Sequence, residues 1–299
     1  MTGSATENRS LATPNGDTRT GVGPLLRQWR QRRRLSQLEL ALRADSSARH
    51  LSFVETGRST PSRAMVLRLA EHLDVPIRDR NTLLVAAGYA PAYPETPLAD
   101  PAMAAVRDGL VRLLDACAPN PALVLDGQFD VLMTNDPVLA LLDGVAPELL
   151  RPPINVMRLA LHPHGLAPRI VNLPQWRAHL LERMHRNMIP RAPSALRALY
   201  EEVAAYPVPD SARDNDQTDN DPTDNDPTTD LSPADPPAPT ALALPLHILV
   251  HGQLLSFVST MTTFNTPMDV TVSELALEMF LPADQQTARA LPLRVMKHE

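Results

Sequence analysis

The chain has 299 residues, enough for one large domain or two ordinary ones, and 43% are hydrophobic, enough to bury a sizeable core. A single cysteine, Cys117, excludes any disulfide within the chain, and no apolar run approaches the ~18 residues of a membrane-spanning helix. The N-terminal stretch lacks the apolar centre of a signal peptide, so the expectation is a cytoplasmic protein with no membrane partner. The net charge of −6 is unevenly spread: residues 24–80 carry 12 Arg against 6 acidic residues, whereas residues 210–235 carry 9 Asp against 1 Arg. A basic block in an acidic chain is open to two readings, a polyanion partner or a solvated helical surface.

In chain order, residues 1–22 are polar and read as a disordered tail. Residues 23–88 read as all-α. Ser36 with Glu39 three residues later is a capping box, and Leu38, Leu40, Ala41 and Leu42 are assigned to the apolar side of the helix it opens. Asp45 stands in a tight turn where left-handed backbone is often needed. Ser47 caps a helix over Ala48–Glu55, and Gly57 suits its C-terminal end. In that helix Leu51 and Val54 share one face, whereas Arg49 and Ser52 share another and can point outward together. Ser62 opens a further helix bearing Met65, Leu67, Leu69 and Leu73. Residues 89–101, with four prolines, read as a linker.

From residue 102 a helix runs to Cys117, followed by two short apolar runs around Gly127, Ala122–Asp126 and Phe129–Asn135, which read as a hairpin. Asp136–Leu142, Gln175–Asn187 and Ser194–Ala205 read as helices. Residues 207–240, with TDNDP twice in tandem, read as a disordered acidic insertion; they lack the Gly and closing Glu of a calcium-binding EF-hand loop. Leu242–Val250 and Leu254–Phe264 read as a second strand pair around Gly252. Asp269–Leu281 is rich in β-formers early and then less clear, and Pro282–Leu291 reads as a last helix.

Two helices joined by a short turn, the second with a polar outward face, form a helix-turn-helix. The run Leu35-Ser36-Gln37, Glu39-Leu40-Ala41, Leu51-Ser52, Glu55, Gly57-Arg58, Pro61-Ser62 and Leu69-Ala70 to Val75-Pro76 resembles the phage-repressor-like (XRE/Cro-type) DNA-binding domain. The resemblance implies a five-helix domain with Ala48–Glu55 as the recognition helix in the major groove. It also implies that Gln37 bonds a phosphate and packs on that helix. Ser47, Ala48, Arg49 and Ser52 then reach bases or phosphates, and Arg58 reaches the backbone. Arg49 is the candidate guanine reader, because its fork fits G O6/N7. Arg30 and Glu55 match an ion pair tying the first helix to the third. Asp45 stands where glycine is common, and Ala48 where a long polar base reader is common.

Three stretches, Arg49 to Pro91, Gly144–Met184 and Leu255–Asp284, resemble the actinobacterial MmyB family of regulators. This second resemblance implies an α+β chain in which the helix-turn-helix precedes a PAS-like ligand-binding domain, residues 102–206 and 241–293, with an antiparallel sheet and helices over one face. Gln128 and its neighbours stand where a Trp-containing strand is more usual, and Asn265 where glycine is usual. The implied function is a dimeric, sequence-specific transcriptional regulator that binds a double-stranded operator and a small apolar, fatty-acid-like ligand, with no other cofactor. Asn155, Arg158, His162 and Arg169 are the candidate anchors for a ligand carboxylate, an arginine offering a bidentate fork. Their other reading is internal pairing with Asp143, Glu148 or Glu182. The alternative is a constitutive DNA-binding regulator whose PAS-like part is a protein-interaction or dimerisation module without ligand. An enzyme finds no support: no GxSxG, P-loop or GxGxxG occurs. The histidine pairs His162/His164, His179/His185 and His247/His251 lack the further ligands of a metal site.

Overall fold

The computed structural model describes residues 21–188, 194–207, 243–264 and 267–291. Residues 1–20 of the expected tail, nearly all of the acidic insertion and Asn265 lie outside them. The chain divides into two compact units between Ala92 and Tyr93.

The first unit is five helices: α1 (Val22–Arg32), α2 (Gln37–Arg43), α3 (Ala48–Glu55), α4 (Arg63–His72) and α5 (Ile77–Ala86). Local signals set their starts. The Ser36 hydroxyl accepts from the Glu39 N–H while the Glu39 carboxylate accepts from the Ser36 N–H; these bonds hold the Glu39 carboxyl below its usual range. Ser47 and Ser62 cap α3 and α4 by accepting from the His50 and Met65 N–H groups. Asp45 takes left-handed backbone at φ 49°, as its turn requires. The bundle core gathers Leu26, Leu40, Leu51, Val66, Leu69 and Leu84, all buried. Two expectations need correction. α1 begins at Val22, which is buried, so the polar tail ends one residue earlier. Leu38 and Leu42 are 59% and 70% exposed: four apart, they occupy the outer side of α2, and only Leu40 and Ala41 face inward.

The stretch read as a linker is bonded at both ends. The Tyr89 hydroxyl donates to the Pro61 carbonyl and the Ala92 N–H to the Asn81 amide oxygen, whereas the Thr96 N–H donates to the Asp269 carboxylate.

The second unit starts with α6 (Ala104–Cys117) and continues through β1 (Ala122–Leu125), β2 (Val131–Thr134), α7 (Asp136–Leu141), α8 (Val156–Leu161), α9 (Leu173–Met188), α10 (Ser194–Ala204), β3 (Leu246–Val250) and β4 (Gln253–Thr263). It ends with α11 (Val270–Glu274), β5 (Ala276–Pro282) and α12 (Gln285–Ala290). All neighbouring strands are antiparallel, in the order β2-β1-β5-β4-β3, so the last strand lies at the centre. The α+β expectation therefore holds. His251 and Gly252 form a two-residue turn at φ 49° and 77°, the left-handed pair that a tight β3–β4 hairpin needs. Segments outside the sheet bond both edges: Val131 N–H to the Ile154 carbonyl beside β2, and Val171 N–H to the His247 carbonyl beside β3.

One face of the sheet carries Leu123, Leu125, Leu246, Ile248, Leu255, Phe257 and Phe280, packed against α7 to α10. The opposite face carries Ala122, Val124, Leu277 and Met279 against Leu110 and Leu114 of α6. The alternation follows from the two-residue period of a strand. The β-former-rich start of Asp269–Leu281 is helical, not extended. It forms α11, because the Asp269 carboxylate caps Thr271 and the Val270 N–H donates to the Pro94 carbonyl; the strand comes after it.

Candidate nucleic-acid interface and apolar cavity

In the helical unit, α3 is held from behind. Glu55 is buried, and its carboxylate accepts from Arg30 Nε at 2.6 Å, Arg30 Nη2 at 2.8 Å and Gln37 Nε2 at 2.8 Å. Burial pushes the Glu55 carboxyl up, but the bonds from Arg30 and Gln37 outweigh it and leave the group below its usual range. The same pairing raises Arg30. The expected Arg30–Glu55 tie is therefore present, and Gln37 joins it.

Of the other expected DNA residues, Ser47, Arg49 and Arg58 are exposed and Ser52 is half-buried. The Ser47 hydroxyl is used as the helix cap. The Arg49 guanidinium lies 5.5 Å from the Phe53 ring centroid, one helical turn on, which steadies an otherwise free side chain. Ala48 leans on the bundle core, so it offers shape rather than reach. Gly57, at φ 73°, ends α3 and turns the chain toward Arg58.

The second unit holds a cavity of about 50 Å³ between α8, α9 and the sheet, walled chiefly by Met157, Ala160, Ile170, Trp176, Leu180 and Phe280. Two charged residues also line it, Arg183 and Glu278. Arg183 Nη1 and Nη2 donate to the two Glu278 oxygens at 2.9 and 3.1 Å, and the Ser259 hydroxyl donates to Glu278 Oε1 at 2.6 Å. The Arg183 guanidinium also lies 5.4 Å from the ring centroid of buried Phe129. The stretch with Gln128 and Phe129 is a turn rather than a strand, with Phe129 at φ 66°.

The four expected anchors do not line this cavity, and each makes hydrogen bonds elsewhere. Asn155 caps α8 through Met157 N–H and donates to Gln128 O and to Asp130 Oδ1. Arg158 forms a two-pronged pair with Glu202, both bonds 2.7 Å, and that pairing raises its pKa. Arg169 donates to the Leu141 carbonyl at 2.6 Å. His162 accepts from the His164 N–H and stacks edge-on to Tyr206, whose phenol is pushed up to about 12 by burial and by the Glu202 carboxylate. Arg158 is thus paired internally, but with Glu202 rather than with Asp143, Glu148 or Glu182, which corrects the expected partners.

Arg183 and Glu278 escaped the sequence reading, although a signal existed. Trp176, Leu180 and Arg183 stand at positions i, i+4 and i+7 of α9, so Arg183 falls on its apolar stripe. Glu278 alternates with Ala276 and Phe280 on the inward parity of β5.

Among the described residues no helix is long and apolar enough to cross a membrane, and no three His, Cys, Asp or Glu side chains gather as a metal site would need.

Comparison with protein-family models matches residues 26–79 to the helix-turn-helix and residues 106–293 to the MmyB-like transcription regulator ligand binding domain. No curated protein matches. Among solved structures, the clp gene regulator ClgR from Corynebacterium glutamicum is similar over 36% of this chain and 99% of its own, at 25% identity with a TM-score of 0.21. The two matched domains are those of a DNA-binding transcription regulator. More than half of the chain lies within the second match, and this chain belongs to the family of regulators defined by the MmyB-like ligand binding domain.

Proposed function

We propose that this regulator reads a double-stranded operator through α3 as a homodimer, and that a small, largely apolar molecule in the α8–α9 cavity controls it. The observation that carries the DNA reading is α3 itself. Its outward side presents Arg49 to solvent, while Arg30, Glu55 and Gln37 fix its other side to α1 and α2. A rigid helix with a long cationic fork on its free face suits major-groove readout. Ser47, Ser52 and Arg58 flank Arg49 and would contact backbone or base edges.

The ligand reading rests on an apolar cavity bounded at one place by a buried polar pair, the usual pattern of a small-molecule site. Its size sets a condition. About 50 Å³ admits a few water-sized molecules, whereas ligand pockets commonly reach ~300 Å³ or more, so α8 or α9 must move outward to seat an acyl-like tail. That small size also favours the second reading, a regulator whose C-terminal unit holds no ligand.

Native mass spectrometry of the full chain, before and after organic extraction, separates them. A dimer carrying extra mass that extraction removes is the expected result. A clean dimer would favour the ligand-free regulator, and a monomer in the presence of a two-fold operator would overturn the dimeric model.

A further inference from the structure

Among the described residues Arg183 is the one cation lining the cavity, and its fork is already taken: both of its terminal nitrogens donate to Glu278. The pair is well shielded, with the side chains of Arg183 and Glu278 only 12% and 3% exposed. Ser259 holds Glu278 from β4, and the Arg183 Nη2 also reaches the Met261 sulfur at 3.8 Å. A ligand carboxylate arriving here would have to displace Glu278 from Arg183 or lie beside it. The first leaves a buried carboxylate without its partner, and the second places two like charges in contact. His179, on the same helix, does not line the cavity, and burial with neighbouring Arg183 and Arg186 lowers its pKa, which disfavours a compensating charge.

The pair nonetheless has bonding capacity left. Glu278 Oε2 accepts from Arg183 alone, while Oε1 accepts from both Arg183 and Ser259. A carboxylate has about four acceptor sites and a guanidinium five N–H donors. A head group that both donates and accepts can bond to each partner without separating them.

Resting on the ligand reading above, we propose that the cavity selects an uncharged amphiphile, an alkyl chain ending in a hydroxyl or primary amide, over the matching free carboxylate, because the Arg183–Glu278 pair at its wall is self-neutralised. The fatty-acid-like expectation is thereby narrowed to the tail and changed at the head.

The test is calorimetric titration of the full chain at pH 7.5 with octanamide, 1-octanol and octanoate, three probes of similar length. Octanamide and octanol are expected to bind at least tenfold more tightly than octanoate. Tighter or equal binding of octanoate would overturn the head-group selection while leaving the ligand site standing. Binding by none of the three would overturn the selection together with the ligand reading. Glu278→Gln sharpens the result: removing the competing charge should raise octanoate affinity at least tenfold and weaken octanamide, which loses a charged acceptor, so that the preference between the two narrows or reverses. No gain for octanoate in a variant whose far-ultraviolet circular dichroism matches the parent's would count against the mechanism. The comparison of the three probes on the unaltered chain needs no variant to fold.

Discussion

A methyl group added to Gly23 would collide with the backbone carbonyl oxygens of Val54 and Glu55, because the backbone of α3 lies directly against α1 there. Backbone cannot swing aside as a side-chain tip can, so Gly23→Ala is expected to destabilise the helical unit by about 2 kcal/mol, read by thermal melting. Glu55 sets a pH limit on the same unit. Its folded pKa lies below the unfolded value of about 4.3, so its stabilising contribution is complete above that value and is lost as pH falls through the folded pKa. Melting temperatures measured from pH 6 to pH 3 should therefore fall more steeply for the parent than for Glu55→Gln; parallel curves would deny Glu55 this role. Arg49→Ala should weaken operator binding by about 1–3 kcal/mol and non-specific binding far less, measured by fluorescence anisotropy; equal loss on all DNA would remove its base-reading assignment.

At the scale of elements, the agreement follows how local each signal was. α2, α3 and α4 begin where Ser36, Ser47 and Ser62 place them, because a cap and the N–H it accepts from are only three residues apart. The β3–β4 hairpin was equally legible from Gly252. α11 was not, since its β-formers Val270, Thr271 and Val272 are overruled by Asp269, whose carboxylate accepts from Thr271 and from Thr96, a partner 173 residues away. Asp269→Ala should cost the second unit about 1–2 kcal/mol, combining a lost cap with the lost tie to Thr96; chemical denaturation measures it. Leu38 and Leu42 make the opposite point. Apolar identity placed them in the core, but a helix has a second side, and only the packed bundle shows which one faces out.

Across the whole molecule, the basic block of residues 24–80 sits in the unit that carries α3, within a chain of net charge −6. If binding runs through phosphate contacts made by these arginines, operator affinity should fall at least tenfold between 50 and 200 mM salt. A flat salt profile would show that the block is merely a solvated surface. The two units have separate cores, so Gly23→Ala should shift the unfolding of the first and Asp269→Ala that of the second.

What the sequence determined by itself was the set of local decisions: helix caps, left-handed turns, the polar outward face of α3, and the resemblance that named both domains. These depend on residues within one or two turns of each other, where spacing is geometry. Tertiary structure decided which charges meet. Arg158 found Glu202, 44 residues on, and Arg183 found Glu278, 95 residues on. The first pairing engages Arg158 away from the cavity, and the second puts a charged pair into the cavity wall. No periodicity links residues so far apart; the sheet order that makes the last strand central, and lays α9 across it, brings them together.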